Sequence, residues 1–386
     1  MKNTTSERLF LDIHAIQTVP PANINRDDTG SPKTAQFGGV TRARVSSQCW
    51  KRAIRNYFKE YISINNLGMR TSELVSYIAN LITKQDSTIK EDEALKLAEE
   101  TINNAGIQTK VRKNTKDKTK PKAKPKITEA PFFISYKEAE AFAAACIAKK
   151  TNKDTLQDIL KDELSIDIAL FGRMLAGEPT LNVDAAAQVA HAISTHAIED
   201  EFDFYTAVDE ALPEGQMGAS MMDTIEYNSS TLYRYANIGL HNLYGQFLHD
   251  NHDKKDVIDI AKLFVKAFVK SMPTGKINSF AHQTLPQAVI VSLRDDRPVN
   301  MITAFEKPIK SENGYTAPSI KKLFEEYGKY DKILDKPRFT EYLILDELNV
   351  GEIDGNAAHN LNDLVNDLGE AILSNLKDQS KGLNEN

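Results

Sequence analysis

The stretch Phe37-Gly38-Gly39-Val40-Thr41-Arg42-Ala43-Arg44-Val45-Ser46-Ser47-Gln48-Cys49-Trp50-Lys51-Arg52-Ala53-Ile54-Arg55-Asn56-Tyr57-Phe58-Lys59 decides how the rest of the chain is read. It reads as a Gly-Gly turn, a short extended piece and a helix. Ser46 or Ser47 suits the helix N-cap, because a serine oxygen accepts an otherwise orphaned backbone N–H. At 100° per residue Gln48, Lys51, Arg52, Arg55 and Lys59 fall on one face, and Trp50, Ala53, Ile54, Tyr57 and Tyr61 fall opposite. In the extended piece Arg42 and Arg44 share a side, as alternation requires. No Asp or Glu occurs between Asp28 and Glu60, so cations crowd one face of the segment. A solvated amphipathic face is the bland reading; an anionic polymer is the one that relieves the repulsion.

Outward from this stretch, residues 9–18 alternate with Leu9, Leu11, Ile13 and Ala15 on one side, which predicts a first strand ended by Pro20-Pro21. Residues 23–36 read as a polar loop, in which Asp27-Asp28 suits an Asx turn or an arginine partner better than a metal. Residues 72–103, 138–150 and 152–164 read as helical. Residues 185–196 are expected as a helix capped by Asp184, and 202–208 as an aromatic strand. Residues 212–230 read as a break, with Gly215 and Gly218 allowing reversal and Met217, Met221 and Met222 lacking periodic partners. Residues 232–240 and 287–293 are strands, 257–272 and 320–334 helices, 273–282 a loop carrying Lys276, 339–345 a strand and 357–376 a final helix. The alternation of strands and helices indicates an α+β fold: an antiparallel sheet with helices on one face.

Composition narrows the function. The net charge of −6 is uneven: residues 341–386 hold ten acids against two lysines, leaving residues 1–340 at +2. A local basic surface is therefore compatible with the acidic mean. The two cysteines, Cys49 and Cys146, lie far apart, which fits neither a disulfide framework nor a zinc site and points to a reducing cytoplasm. No signal-peptide pattern and no apolar run of membrane-spanning length occurs, so no membrane is expected as a partner. Residues 110–126 carry nine cations (Lys110, Arg112, Lys113, Lys116, Lys118, Lys120, Lys122, Lys124 and Lys126) against Asp117 alone, either a solvated loop or a sequence-independent phosphate contact. Walker, G-x-S-x-G and H-E-x-x-H motifs are absent, no RNP signature occurs, and nothing points to a cofactor. His14 lies opposite the Leu-Ile stripe of its strand, and His191 and His196 would face different sides of a helix.

The residues Asn25-Arg26-Asp27-Asp28, Phe37-Gly38-Gly39 and Arg42-x-Arg44-Val45-Ser46-Ser47-Gln48-x-x-Lys51-Arg52-Ala53-x-Arg55 resemble the CasC family, the backbone subunit of the type I-E CRISPR surveillance complex Cascade. The likeness continues in order at Gly172-Arg173-Met174, His191-Ala-Ile-x-Thr195-His196, Thr206-Ala-Val-Asp209 and Tyr233-Arg-Tyr-Ala-Asn-Ile238. The resemblance implies an RRM-like (ferredoxin-like) palm at 1–61, 181–205 and 231–350, helical fingers inserted at 62–180, a thumb hairpin at 206–230 and an acidic helical segment at 351–386. It implies a non-catalytic scaffold that polymerises along CRISPR RNA, with copies of itself, other Cascade subunits and, through the guide, target DNA as partners. By matched position Arg26, Gln48, Lys51, Arg52 and Arg55, with Arg42, Arg44 and Lys276, would meet RNA, and Met174 would sit against bases. Apart from the resemblance, their composition leads us to expect Met217, Met221 and Met222 as a thumb wedge and the 110–126 cations as a contact for target DNA. The rival expectations are a metal-independent ribonuclease of the wider RAMP superfamily using His14 or His196, and a general single-strand RNA chaperone.

Overall fold

The computed structural model describes residues 8–111, 126–162, 164–208, 219–247, 253–351 and 353–376; for 207, 208 and 219–222 it describes the backbone alone. The chain is mixed α/β and divides into two compact units. The first holds Met1–Phe58, Gln188–His241 and Lys254–Asn386, and the second Lys59–Ala187 and Asn242–Asp253.

The first unit is built on a sheet of strands β1 (Phe10–Ala22), β2 (Thr34–Phe37), β3 (Val40–Val45), β4 (Ala192–Ser194), β5 (Glu201–Val208), β6 (Ala219–Gly239), β7 (Ala288–Arg294), β8 (Phe339–Ile344) and β9 (Asn356–Ala357). The order is β9-β8-β7-β1-β6-β4-β3-β2, with β5 paired to β6. Within it, β7-β1-β6-β4 is antiparallel throughout. Helix α1 (Ser47–Tyr61) follows β3 and α2 (Lys254–Lys270) lies between β6 and β7 in the chain.

Alternation along β1 puts Leu11, Ile13 and Ala15 on one face beside Ala236 and Arg234, and Asp12, His14 and Ile16 on the other beside Tyr235 and Tyr233. Both faces are buried. On the first, the Arg234 guanidinium lies 3.6 Å from the centre of the Trp50 ring of α1 and 4.4 Å from Phe268 of α2. On the second, Tyr233, Tyr235 and Ile290 pack against Met301, Phe305 and helix α3 (Thr316–Lys329) through Ile320, Leu323 and Tyr327. Helix α4 (Leu361–Asn375) packs beside α2 and β8.

Several elements depart from the sequence expectation. Strand β1 runs through Pro20-Pro21 to Ala22; its register on β6 shifts between Val19 and Ala22, where prolines without N–H groups interrupt no ladder bond. Part of the expected 23–36 loop is strand β2, which pairs with β3 across Gly38-Gly39, both at positive φ (61° and 78°) as a two-residue hairpin turn demands. Gly38 is required twice over, since a Cβ there would lie 1.7 Å from the Glu306 carbonyl oxygen. The helix expected at 185–196 does not form: Ala187–Val189 and Ala192–Ser194 are strands, and the pairs Leu232↔Ser194 and Tyr233↔Ile193 outweigh alanine's helix propensity. The break expected at 212–230 is regular from Ala219 onward, because β6 is a 21-residue strand and Glu201–Val208 pairs along its first part. The 273–282 loop contains the short helix Ile277–Phe280.

The second unit centres on the helices Leu74–Gln85, Glu91–Asn104 and Tyr136–Ile147. Val75, Ile78, Ile82, Ala98, Ile102, Phe142 and Cys146 form their shared core. Ser135 and Glu138 form a reciprocal capping box. The expected 152–164 helix is shorter, Lys153–Ile159, capped by Asn152.

Candidate nucleic-acid interface

Helix α1 starts where the sequence places it. The Ser46 hydroxyl accepts from the Cys49 N–H, and the Ser46 N–H donates to the Asn25 side chain at 2.8 Å. Trp50, Ala53, Ile54 and Phe58 are buried. Phe58 replaces Tyr61, which is 59% exposed, as the last inward residue. Gln48 and Arg52 are exposed on the opposite face, and Lys51 and Arg55 are half-buried there. Desolvation by that partial burial lowers the Lys51 pKa.

Two loops are fastened beside the helix start. In the first, the Asp27 carboxylate accepts from the Thr29 N–H, the Thr29 hydroxyl and the Ser31 N–H, forming the Asx turn and lowering its own pKa. Arg26 is exposed on this loop and bridges to Pro32. Asn23 ties the loop to the Gly30 and Glu226 carbonyls. In the second, Gly275 packs so close to Ile24 that a Cβ would lie 2.3 Å from the Ile24 carbonyl oxygen. The next residue, Lys276, adopts φ 52° and is half-buried. Arg26, Lys276 and the α1 face are thus held on one connected framework.

The paired arginines divide. Arg44 is half-buried, with its Nε donating to the Thr34 carbonyl and Nη1 3.3 Å from the His191 Nδ1. Arg42, expected to meet RNA, is 0% exposed. Its guanidinium donates to the carbonyls of Phe37, Ser194 and Phe305, so it is an internal clamp on the hairpin rather than a surface cation. Alternation puts both on one side; only burial by Phe305 and Glu306, distant in sequence, separates them.

The histidines considered for catalysis are both enclosed. His14 is 0% exposed, its Nδ1 2.9 Å from the Tyr233 hydroxyl, and burial, aided by Arg294, pushes its pKa down to about 3. His196 accepts the Thr231 N–H at Nε2, contacts the Ala197 carbonyl through Nδ1, and stacks on Tyr315 at 3.7 Å between ring centres. The Nδ1 of His14 and both ring nitrogens of His196 are taken up by contacts inside the protein.

A two-stranded ribbon, Glu201–Val208 against the first part of β6, carries Phe202 and Phe204 at 61% and 75% exposure. Alternation puts both on one side. In the sequence they read only as strand formers; two aromatics two apart in a strand otherwise rich in acids were the available signal. Of the expected wedge, Met221 and Met222 lie in the ribbon opposite Ala207 and Thr206, and Met217 lies outside the described residues.

In the second unit Met174 is 86% exposed. It follows Arg173, which is buried against the Glu138 carboxylate at 3.1 Å and donates to the Phe133, Leu160 and Leu181 carbonyls. Of the 110–126 run, Lys110 donates to the Glu129 carbonyl and Lys126 pairs with Glu99 at 2.6 Å. Strands Thr109–Lys110 and Ile127–Thr128 pair, closing the neck of the run. Arg112, Lys113, Lys116, Lys118, Lys120, Lys122 and Lys124 lie outside the described residues. Among the described residues no cluster of three or more His, Cys, Asp or Glu could hold a metal, and no helix is long and apolar enough to cross a membrane.

Comparison with known proteins bears on the family of the chain. The family profile of CT1975-like proteins matches residues 11–367. A solved chain of a "CRISPR RNA-guided surveillance complex, pre-nicking" shares 30% identity and a TM-score of 0.82, covering 94% of this chain and 100% of its own length. Another, of a "CRISPR RNA-guided surveillance complex", shares 25% identity and a TM-score of 0.72, covering 94% and 99%. No curated protein sequence matches. With nearly its whole described length matched, the chain belongs to the CT1975-like family of CRISPR-associated proteins, as a relative of surveillance-complex subunits.

Proposed function

We propose that this chain is a non-catalytic RNA-binding scaffold that polymerises along CRISPR RNA in a cytoplasmic type I-E Cascade, gripping the backbone and leaving bases free to pair with target DNA. One observation carries the reading: a helix with a fully buried Trp50–Ile54 side presents Gln48, Lys51, Arg52 and Arg55 on the other. Arg26, Arg44 and Lys276 are fixed beside its N-terminus. A helix start adds its own positive end to such a patch, suited to phosphate. The sheet of the first unit serves as the RRM-like palm, its β7-β1-β6-β4 order supporting that assignment. The thumb expected at 206–230 overlaps the ribbon of 201–208 and 219–227, and we assign Phe202 and Phe204 of that ribbon to the apolar wedge expected of the methionines 217, 221 and 222. Met174 presses on bases from the fingers. The 110–126 cations take the displaced or incoming DNA, and further copies of the chain and other Cascade subunits complete the assembly. Pairing then reads sequence and protein reads backbone shape.

The test is the double substitution Arg26→Glu, Arg52→Glu. Both side chains are exposed, so the fold should persist by circular dichroism. Affinity for single-stranded RNA should drop, and the log K against log salt slope should flatten by about 0.7 for each phosphate no longer neutralised. An unchanged slope in a folded variant overturns the reading. The internal contacts of His14 and His196 favour the scaffold over the ribonuclease alternative.

A further inference from the structure

His191 lies beside the basic patch but is not among the residues assigned to it above. Local propensity predicts it on a helix; the sheet puts it elsewhere. Val45 pairs with Ala192, so the antiparallel register, continued by one residue, sets His191 beside Ser46, the cap of α1. The imidazole is exposed and its Nδ1 faces Arg44 Nη1 at 3.3 Å. Arginine can only donate, so Nδ1 accepts and the ring proton sits on Nε2. Three further bonds make the place rigid. The Arg44 N–H donates to the Lys33 carbonyl at 2.8 Å, the Lys33 N–H to the Asn25 carbonyl at 2.9 Å, and the Ser46 N–H to the Asn25 side chain at 2.8 Å. Lys33, Arg44 and His191 therefore converge beside the positive end of a 15-residue helix.

We infer that Lys33, Arg44 and His191 form a phosphate-binding subsite in which His191 takes up a proton when the anion binds, so that RNA affinity is coupled to pH. In the free protein partial burial, Arg44 and Lys33 hold the imidazole below its ordinary pKa, leaving it neutral at pH 7. A phosphodiester among the three groups reverses the local field and favours the imidazolium. The free form then binds fewer protons than the complex across the window between the two pKa values. Affinity rises as pH falls through that window, by at most about one decade per pH unit for one proton, and is flat on either side.

The inference rests on the RNA-binding reading, and two measurements separate them. The first uses the full chain and a labelled single-stranded RNA in titrations between about pH 5.5 and 8. Wild type should tighten as pH falls; His191→Gln should be flat and weak, and His191→Lys flat and tight. A pH slope retained in His191→Gln, or absent from wild type that binds RNA well, overturns the inference and leaves the scaffold reading standing. Wild type that binds no RNA overturns the scaffold reading. The second follows the imidazole NMR signal that is missing from His191→Gln while inorganic phosphate is added. Its pKa should move upward and, in Arg44→Gln, should not respond. A signal indifferent to phosphate in wild type overturns the subsite without reference to RNA.

Discussion

The two faces of the central sheet in the first unit are both closed, but by different chemistry. The face toward α1 and α2 is aliphatic and carries a buried arginine, Arg234, sandwiched between Trp50 and Phe268. The face toward α3 is polar and aromatic. There the Tyr235 hydroxyl donates to the Asp12 carboxylate at 2.6 Å, the Val299 N–H donates to its other oxygen, and Tyr233 bridges His14 and the Met301 N–H. A sheet covered on both sides offers no open platform for stacking bases, so the proposed contact with RNA is assigned to its rim, where α1 begins. The first face sets where α1 lies; the second seals the surface that an open sheet would leave to ligand.

That division predicts which residue matters most. Trp50→Ala removes a fully buried ring and the partner of a buried guanidinium. It should cost about 3–5 kcal/mol in denaturant unfolding and loosen α1 from the sheet. A loss under about 1 kcal/mol would mean that α1 is held chiefly by its cap and hairpin.

Next in size is Arg42→Ala on the hairpin clamp. The Phe37, Ser194 and Phe305 carbonyls lose their guanidinium donors, at roughly 1–3 kcal/mol for each that water cannot reach. The same change at Arg44 should cost far less stability. Equal losses would erase the distinction between clamp and surface cation.

These two residues show what the sequence could disclose. The Gly-Gly turn, the cap and both sides of α1 were legible because each depends on neighbours within a few residues. Arg42's burial was not, since its partners Ser194 and Phe305 are 152 and 263 residues away. The same reason explains the false helix at 185–196. Its alanines satisfy local propensity, and only pairing with Leu232 and Tyr233 makes it extended. Phe202 and Phe204 were placed on a strand correctly, but their exposure depends on a two-stranded ribbon that local alternation does not announce.

The polar face has a pH signature. Burial raises the Asp12 pKa to about 7, against the hydrogen bonds from Tyr235 and Val299. The folded state therefore binds a proton that the unfolded state releases near pH 4. Asp12's contribution to stability is full below that value and is lost as pH rises through about 7. Asp12→Asn should flatten the stability–pH curve in that interval by up to about 1.4 kcal/mol per pH unit while keeping an acceptor for the Tyr235 hydroxyl. A curve parallel to wild type would place the proton on another group.

The smallest expected change in stability is at the rim, and it sharpens the comparison from the other side. Arg52 is exposed on α1, nearly two turns from the cap, outside either sheet face; with Lys33 it opposes the rise that burial gives the Cys49 pKa. Replacing it with alanine leaves the core packing intact and substitutes a better helix former, so unfolding free energy should stay within about 0.5 kcal/mol. Binding should respond all the same. Neutralising one phosphate fewer lowers the salt slope on single-stranded RNA by about 0.7, an effect read as a change of slope and not merely of intercept. If Arg52→Ala leaves the salt dependence intact but destabilises the fold, the cation belongs with Arg42 and Arg234 as a packing residue. The division between a closed interior and a charged rim would then fail at the helix on which it was built.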